Sequence, residues 1–187
     1  MTPPPEPLSC RTALILGGAR SGKSRHAQTL AETSGLTKVF IATAQGLDDE
    51  MRERIARHRA DRGEGWRTRE EPLDLIAALR AEAAADRIAL VDCLTLWLSN
   101  LMHAGRSPED EIAELKATLA ALAGPAILVS NEVGLGIAPA TPLGRQFRDW
   151  QGRLNAEVAA VADVVVAMTA GLPVIVKPAP RPALVFM

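Results

Sequence analysis

The chain has 187 residues, of which 48% are hydrophobic and 23% charged, and its formal net charge at neutral pH is -1. This length and composition are ordinary for one globular domain, and they exclude a fibrous or disordered architecture. The nearly balanced charge argues against a nucleic-acid partner, because proteins that bind duplex nucleic acid normally carry a large excess of lysine and arginine.

Short, strongly apolar runs predict the β-strands. The runs do not alternate between apolar and polar residues, which indicates strands that are covered on both faces. In chain order, the predicted strands are Ala13–Leu16, Val39–Ala42, Ile88–Val91, Ala126–Val129, Val164–Met168 and Val174–Val176.

Segments with helical spacing of apolar residues lie between these strands. In the last segment, Phe147, Trp150, Leu154, Val158 and Val161 recur every three or four residues and trace one buried stripe. Strands that alternate with helices predict a three-layer α/β fold, in which helices flank a mainly parallel sheet. The predicted helices span roughly residues 22–33, 48–61, 73–85, 94–103, 109–122 and 144–161.

Both ends of the chain are rich in proline and fall outside this pattern. We expect residues 1–10 to form a flexible leader, which lacks the basic and apolar regions of a secretory signal. We expect residues 178–187 to form a Pro-rich C-terminal extension, with Ala183–Met187 as an edge strand or an oligomer contact. No change of composition marks a boundary, so residues 1–187 are predicted to be a single domain.

The cysteines and the apolar runs bear on the cellular compartment. Cys10 and Cys93 form no CxxC or Cys/His cluster that could hold a structural metal, which fits a reducing cytoplasm. The longest apolar runs fall well short of the ~20 residues that span a bilayer. We therefore expect a cytoplasmic protein without stable membrane insertion.

A glycine-rich motif follows the first predicted strand. Gly17 and Gly22 bracket four residues and Lys23-Ser24 follow, which matches the phosphate-loop pattern GxxxxGK[ST]. Glycines let the backbone turn tightly and present N–H groups to phosphate oxygens, and the following helix adds its positive N-terminal end. Lys23 is expected to reach the β- and γ-phosphates, and the Ser24 hydroxyl to bind Mg²⁺. The predicted nucleotide-binding loop consists of Gly17, Gly18, Ala19, Arg20, Ser21, Gly22, Lys23 and Ser24.

A carboxylate ends the third predicted strand. Asp92 is expected to close a second strand beside the phosphate loop and to orient Mg²⁺ or its water. Many strands end in aspartate because this residue favours turns, so a purely structural role is the alternative.

His58 lies in the predicted helix 48–61, near the face that carries Met51 and Ile55. By spacing alone, it is more often a packed or solvated histidine than a catalyst, and the same interpretation applies to His26 and His103. A neutral imidazole, with an ordinary pKa of about 6.5, can however attack phosphorus and form a covalent phosphoramidate.

Arginines surround His58 in the sequence. Arg57, Arg59 and Arg62 could hold phosphate oxygens and would favour the neutral form of the imidazole. The alternative is that they form the solvated face of the helix together with Glu50 and Glu53.

Together these residues resemble a known family, the bifunctional adenosylcobinamide kinase/adenosylcobinamide-phosphate guanylyltransferase of cobalamin biosynthesis. The resemblance covers about residues 13–177. The phosphate loop is shared with many NTPases, whereas the block around His58 together with Asn131-Glu132-Val133-Gly134 is far more specific. The matching blocks are Gly17–Arg25, Ile41–Thr43, Leu47–Met51, Arg54-Ile55, His58, Arg62, Trp66, Thr68, Glu70, Val91–Thr95, Ser130–Ile137, Phe147–Asp149, Gly152, Asn155 and Ala162-Asp163.

The resemblance implies two reactions at one nucleotide site. In the first, the γ-phosphoryl group of ATP or GTP is transferred to the aminopropanol hydroxyl of adenosylcobinamide. In the second, His58 attacks the α-phosphorus of GTP, releases pyrophosphate and passes GMP to the cobinamide phosphate. The resemblance also implies a homotrimer and a site that uses Mg²⁺.

The resemblance further implies which residues contact the nucleotide. His58 is the expected nucleophile, and some relatives have two adjacent histidines where this chain has Arg57-His58. Beyond the phosphate loop, the expected nucleotide contacts are Thr43, Ala44, Gln45, Arg59, Ala60, Asp61, Arg62, Glu70 and Asp92.

Two alternative functions stay open at the level of the sequence. A simple small-molecule kinase would use the phosphate loop without a covalent nucleotide, and His58 would then be structural. A non-catalytic GTP-binding switch would signal through a partner, although the chain has no guanine-reading Asn-Lys-x-Asp element.

Overall fold

The computed structural model describes residues 10–178, without the side chains of Arg54 and Asp61. The predicted leader and Pro-rich extension lie almost entirely outside these residues, as does the apolar patch Ala183–Met187.

The described residues contain one seven-stranded sheet, in the spatial order β3-β2-β4-β5-β1-β6-β7. Neighbouring strands are parallel except for β6 and β7, which form an antiparallel hairpin at one edge. The strands are β1 (Thr12–Gly17), β2 (Thr37–Ala42), β3 (Trp66–Glu70), β4 (Arg87–Asp92), β5 (Ala126–Asn131), β6 (Val164–Thr169) and β7 (Leu172–Lys177).

The predicted helices all form, with their ends shifted by a few residues. Side-chain caps explain several of the starts: Asp48 accepts a hydrogen bond of 2.7 Å from the Met51 N–H, and Thr141 accepts one of 3.1 Å from the Gly144 N–H. The helices are α1 (Lys23–Thr33), α2 (Asp49–Asp61), α3 (Leu75–Glu82), α4 (Leu94–His103), α5 (Pro108–Ala120) and α6 (Pro142–Val161).

The buried residues form one layer on each side of the sheet. Ile15, Leu90 and Val129 pack with Ala27 and Ala31 of α1 on one face. Residues that alternate with them along the strands pack on the other face against α3, α4, α5 and α6; they include Leu14, Val39, Val91 and Leu128. Successive side chains of a strand lie on opposite faces of the sheet. Because helices cover both faces, the side chains on both faces are apolar. The predicted three-layer α/β fold is confirmed.

Strand β3 is absent from the sequence-based expectations. Its sequence, Trp-Arg-Thr-Arg-Glu, contains no apolar run, because β3 lies at the edge of the sheet and its side chains after Trp66 face polar partners. Arg67 and Arg69 reach the buried carboxylate of Glu82 on α3, whereas Thr68 and Glu70 face away from it. A strand built on such polar contacts gives no hydrophobic signal.

The order of the strands corrects one expectation. The strand that ends in Asp92 does not lie directly beside β1, because β5 pairs with both β1 and β4 and separates them. With strands about 4.8 Å apart, Asp92 lies about 10 Å across the sheet from Ile15, the residue of β1 at its level. The end of β5, at Asn131, is therefore the nearest strand end to the phosphate loop on that side.

Candidate active site

The phosphate loop connects β1 to α1 in a tight turn. Gly17 and Gly22 have φ angles of 151° and 89°, in the region that favours glycine. A Cβ atom at Gly17 would lie 2.8 Å from the Met168 carbonyl oxygen, so the sheet leaves no room for a side chain there. Lys23 is only 7% exposed, and its Nζ donates a hydrogen bond of 2.6 Å to the Gly18 carbonyl oxygen. The loop thus has the shape of a phosphate cradle.

A cavity of about 590 Å³ opens at the carboxyl ends of the central strands. Ser24 from the first turn of α1, Asp92 from the end of β4 and His58 from α2 all line it. This volume suits a nucleotide-sized ligand. The structure therefore brings together the predicted metal-binding residues and the predicted nucleophile, which are far apart in the sequence.

Ser24 and Asp92 are suitable ligands for a magnesium ion. Mg²⁺ prefers oxygen donors, and in nucleotide sites it is usually held by one or two protein oxygens together with phosphate oxygens and water. A hydroxyl and a carboxylate on one cavity wall fit that requirement. No group of three or more His, Cys, Asp or Glu side chains within residues 10–178 forms an all-protein metal cage.

Five further residues with predicted nucleotide contacts line the same cavity: Ala44, Gln45, Arg59, Arg62 and Glu70. Arg59 and Glu70 form an ion pair of 2.6 Å across the gap between α2 and β3. Both side chains are more than half exposed, so the pair contributes little stability by itself. Its polar atoms remain near the surface, where a ligand can reach them.

Arg62 is a buried cation of the site, at 6% exposure, in addition to Lys23 of the phosphate loop. Its guanidinium carbon lies 3.8 Å from the centroid of the Phe40 ring, and Nη2 donates a hydrogen bond of 3.5 Å to the Thr68 hydroxyl. Burial lowers the pKa of Arg62, the charge of Arg59 lowers it further, and the charge of Asp92 raises it. The end of α2, four residues after His58, is thereby attached to both β2 and β3.

Thr43 has a structural position that the sequence did not indicate. It is fully buried, and its hydroxyl donates to the Cys93 carbonyl oxygen and accepts from the Cys93 N–H, each at 2.8 Å. This side chain joins the end of β2 to the segment after β4 and does not line the cavity. Burial, and secondarily the charge of Asp92, raises the pKa of the Cys93 thiol to about 11.

The remaining predicted contacts lie outside the cavity lining. Gly18, Ala19, Arg20 and Gly22 are exposed on the phosphate loop, and Ala60 is exposed on α2. Gly17 is buried at the end of β1, and Ser21 is half-buried within the loop. The side chain of Asp61 is not among those that the structure describes.

Several residues that line the cavity were not predicted from the sequence. Arg52 is held by Asp49 at 2.6 Å and by the Gly46 carbonyl oxygen at 2.9 Å. The alternation of Thr68 and Glu70 with Arg67 and Arg69 was a signal for a strand with two different polar faces. The missed lining residues are Phe40, Ala42, Gly46, Met51, Arg52, Ile55, Ala56, Thr68, Pro72, Cys93 and Leu96.

No helix within residues 10–178 is long and apolar enough to cross a membrane.

Comparison with known proteins adds to this geometry. The family described as cobinamide kinase / cobinamide phosphate guanyltransferase matches residues 13–176. The bifunctional adenosylcobalamin biosynthesis protein CobP of Pseudomonas aeruginosa is 52% identical over 169 residues, which are 89% of this chain and 98% of that protein. The CobU proteins of Escherichia coli and Salmonella typhimurium are each 40% identical over 179 residues, with 88% of this chain and 98% of the relative covered.

These matches confirm the resemblance seen in the sequence and the prediction of a kinase and guanylyltransferase enzyme with a role in cobalamin biosynthesis. The match spans β1 to β7 and so includes the phosphate loop, the His58 helix and the Asp92 strand end. The chain belongs to the cobinamide kinase / cobinamide phosphate guanyltransferase family.

Proposed function

We propose that this chain phosphorylates adenosylcobinamide with ATP or GTP and then transfers GMP from GTP to the product through a covalent intermediate on His58. The observation that carries this proposal is that His58, Ser24 and Asp92 line one cavity next to the phosphate loop. The product of the two steps is adenosylcobinamide-GDP.

The phosphate loop supports the phosphoryl-transfer step. Backbone N–H groups from Gly17 to Ser24 and the N-terminal end of α1 favour phosphate oxygens, and Lys23 supplies a positive charge at the β- and γ-phosphates. Mg²⁺, bound through Ser24 and Asp92, would neutralise the negative charge that develops on the phosphates.

The position of His58 supports the guanylyl-transfer step. An imidazole nitrogen attacks the α-phosphorus of GTP, the bond to the bridging oxygen of pyrophosphate breaks, and a nitrogen–phosphorus bond forms. A phosphate oxygen of adenosylcobinamide phosphate then attacks the same phosphorus, and the imidazole leaves. Arg62, held against Phe40, lines the same cavity as His58 and would supply positive charge to the phosphate oxygens.

Labelling with α-³²P-GTP tests the covalent intermediate. The wild-type chain should retain label after denaturation, and His58→Ala should abolish that label while still phosphorylating adenosylcobinamide with ATP. His103→Ala is the matched control, because His103 is exposed at the end of α4 and its ring is bonded to the Ser99 carbonyl oxygen of its own helix. Retained label in the His58→Ala chain would remove His58 from the nucleophilic role.

The same experiment separates the alternatives. A simple small-molecule kinase would consume ATP with adenosylcobinamide but would carry no label in any variant. A GTP-binding switch would show no turnover that depends on cobinamide.

The quaternary structure and cellular location stay predictions. We infer a homotrimer from the family resemblance, and sedimentation of the full chain would measure it. A cytoplasmic location fits the sequence, and fractionation of cells would test it.

A further inference from the structure

We propose that Glu132 is the general base of the phosphoryl-transfer step and that Asn155 positions it; this inference rests on the kinase half of the proposed function. Glu132 belongs to the block Asn131-Glu132-Val133-Gly134, which is one of the more specific parts of the family resemblance. The site described above gives it no role.

The backbone of Glu132 is attached to the phosphate loop. Asn131, the last residue of β5, pairs in register with Gly17, the last residue of β1. The Glu132 N–H then donates a hydrogen bond of 3.1 Å to the Gly17 carbonyl oxygen. Strand β5 lies between β1, which leads into the phosphate loop, and β4, which ends in Asp92. Glu132 directly follows β5, so it lies between these two parts of the site.

A buried amide holds the carboxylate in place. Asn155 of α6 is 5% exposed, and its Nδ2 donates to Glu132 Oε1 at 2.9 Å and to the Asn131 carbonyl oxygen at 3.1 Å. These two bonds fix both the side chain and the backbone at the end of β5.

The orientation of that amide is itself determined by buried partners. Asn155 Oδ1 accepts from the Ser130 hydroxyl at 2.6 Å and from Gln151 Nε2 at 2.9 Å. Both partners are fully buried, and two donors at Oδ1 force the Nδ2 group to face Glu132. Polar groups are costly to bury, so a buried network of three side chains that ends on one carboxylate indicates a demand for its position.

The charge of Glu132 is unfavourable for a purely structural residue. A carboxylate beside a phosphate loop repels the triphosphate, and a neutral glutamine would accept the bond from Asn155 equally well. A half-buried carboxylate retained at this position is suited to accept a proton.

The step balances without any further reagent. The hydroxyl of the acceptor gives its proton to the Glu132 carboxylate as its oxygen attacks the γ-phosphorus. The bond between the γ-phosphorus and the β–γ bridging oxygen breaks, and the nucleoside diphosphate leaves. Glu132 returns its proton to solvent before the next turnover.

This assignment divides the two reactions between two sides of the site. His58 lines the cavity from α2, whereas Glu132 lies outside that lining, after β5 and beside the end of β1. Loss of Glu132 should therefore affect phosphoryl transfer and spare guanylyl transfer.

The test uses the full chain with Glu132→Gln and two separate assays. Phosphorylation of adenosylcobinamide by ATP should fall at least about 100-fold, the contribution typical of a general base. Labelling of the protein by α-³²P-GTP should stay within about threefold of the wild type, because that step needs no base at this position. Glu157→Gln is the matched control, since Glu157 is also half-buried but pairs with Lys116 on the outer side of α6; it should leave both activities unchanged.

Two further variants guard against a folding defect. Glu132→Asp keeps the carboxylate and should recover part of the phosphorylation lost in Glu132→Gln. Asn155→Ala removes the N–H donor without adding a charge beside Glu132, and should lower kcat for phosphorylation about tenfold with little change in the KM for ATP.

Two results would overturn the proposal. One is phosphorylation by Glu132→Gln at the wild-type rate; the other is an equal fall of phosphorylation and labelling, which would indicate a structural or nucleotide-binding role. A wild-type chain that does not phosphorylate adenosylcobinamide at all would instead contradict the proposed function itself.

Discussion

The central carbon of the Arg62 guanidinium group lies 3.8 Å from the centroid of the Phe40 ring. Arg62 caps the helix that carries His58, and Phe40 lies in β2, which is paired on both sides within the sheet. This contact therefore couples the position of the predicted nucleophile to the rigid core.

Replacement of Phe40 by leucine tests that coupling. The change removes a cation–π contact worth about 0.5–2 kcal/mol and should let the end of α2 move. We expect the rate of GMP labelling to fall about tenfold and phosphorylation of adenosylcobinamide to change less than threefold. Phe147→Leu is the control, because Phe147 packs between α6 and the core away from the cavity. Equal effects of the two substitutions on labelling would contradict the coupling.

Lys23 should be essential to both reactions. Its charge is held across the phosphate loop by the bond to Gly18, so Lys23→Ala removes a preorganised cation. We expect the Kd for ATP, measured by calorimetry, to rise at least tenfold, equivalent to about 1.4 kcal/mol. Lys116→Ala, which removes a lysine that pairs with Glu157 instead, should leave the Kd unchanged. A Kd for Lys23→Ala within a factor of two of the wild type would show that the loop does not bind triphosphate as described.

Glu82 should be the most important acidic residue for stability. Its side chain is 6% exposed and forms ion pairs with Arg67, Arg69 and Arg87, which join α3 to β3 and β4. Removal of a buried charge leaves its partners uncompensated, so Glu82→Ala should lower the free energy of unfolding by about 3 kcal/mol. Glu114→Ala, which breaks an exposed pair with Arg80, should cost less than about 1 kcal/mol. Urea unfolding of both variants measures the difference, and comparable losses would contradict this ranking.

Asp163 should make stability depend on pH on the acid side. Its Oδ2 accepts the N–H groups of Thr12 and Arg11 at 2.9 and 2.8 Å, and these bonds lower its pKa from the ordinary value of 3.8. The folded pKa is below the unfolded one, so the stabilisation is complete well above pH 3.8 and is lost as the pH falls through the folded pKa.

The corresponding substitution is Asp163→Asn. At pH 7 the variant should be less stable by about 1 kcal/mol, a small value because the carboxylate is solvent-exposed. The difference should shrink as the pH is lowered from 5 to 3, as measured by urea unfolding at each pH. A difference that is independent of pH would show that the charge of Asp163 is unimportant.

The two thiols should differ in reactivity. Cys10 is exposed, whereas Cys93 is buried and has a pKa of about 11, so almost none of it is thiolate at neutral pH. N-ethylmaleimide at pH 7.5 should modify Cys10 in the native chain and Cys93 only after denaturation. Mass spectrometry of the modified peptides measures both sites, and rapid native modification of Cys93 would mean that the end of β4 opens readily.

Local patterns in the sequence were sufficient for much of this molecule. The apolar runs predicted six of the strands and the helical spacings predicted the helices, because burial on both faces of a sheet leaves a periodic signal. The phosphate loop was also predictable, since its glycines, Lys23 and Ser24 are contiguous and each is required by the local backbone. His58 could be proposed only through the family resemblance, because a histidine on a helix has no distinctive spacing.

Contacts between distant segments were decided only by the tertiary structure. Strand order is not encoded in local periodicity, so the sequence did not indicate that β5 separates Asp92 from the phosphate loop or that Glu132 bonds to Gly17. Strand β3 was missed because most of its side chains make polar contacts, such as the ion pairs with Glu82, and only Trp66 packs against the core. The sequence by itself determined the kind of fold and the location of the phosphate cradle, and the packing of elements far apart in the chain determined which side chains face that cradle.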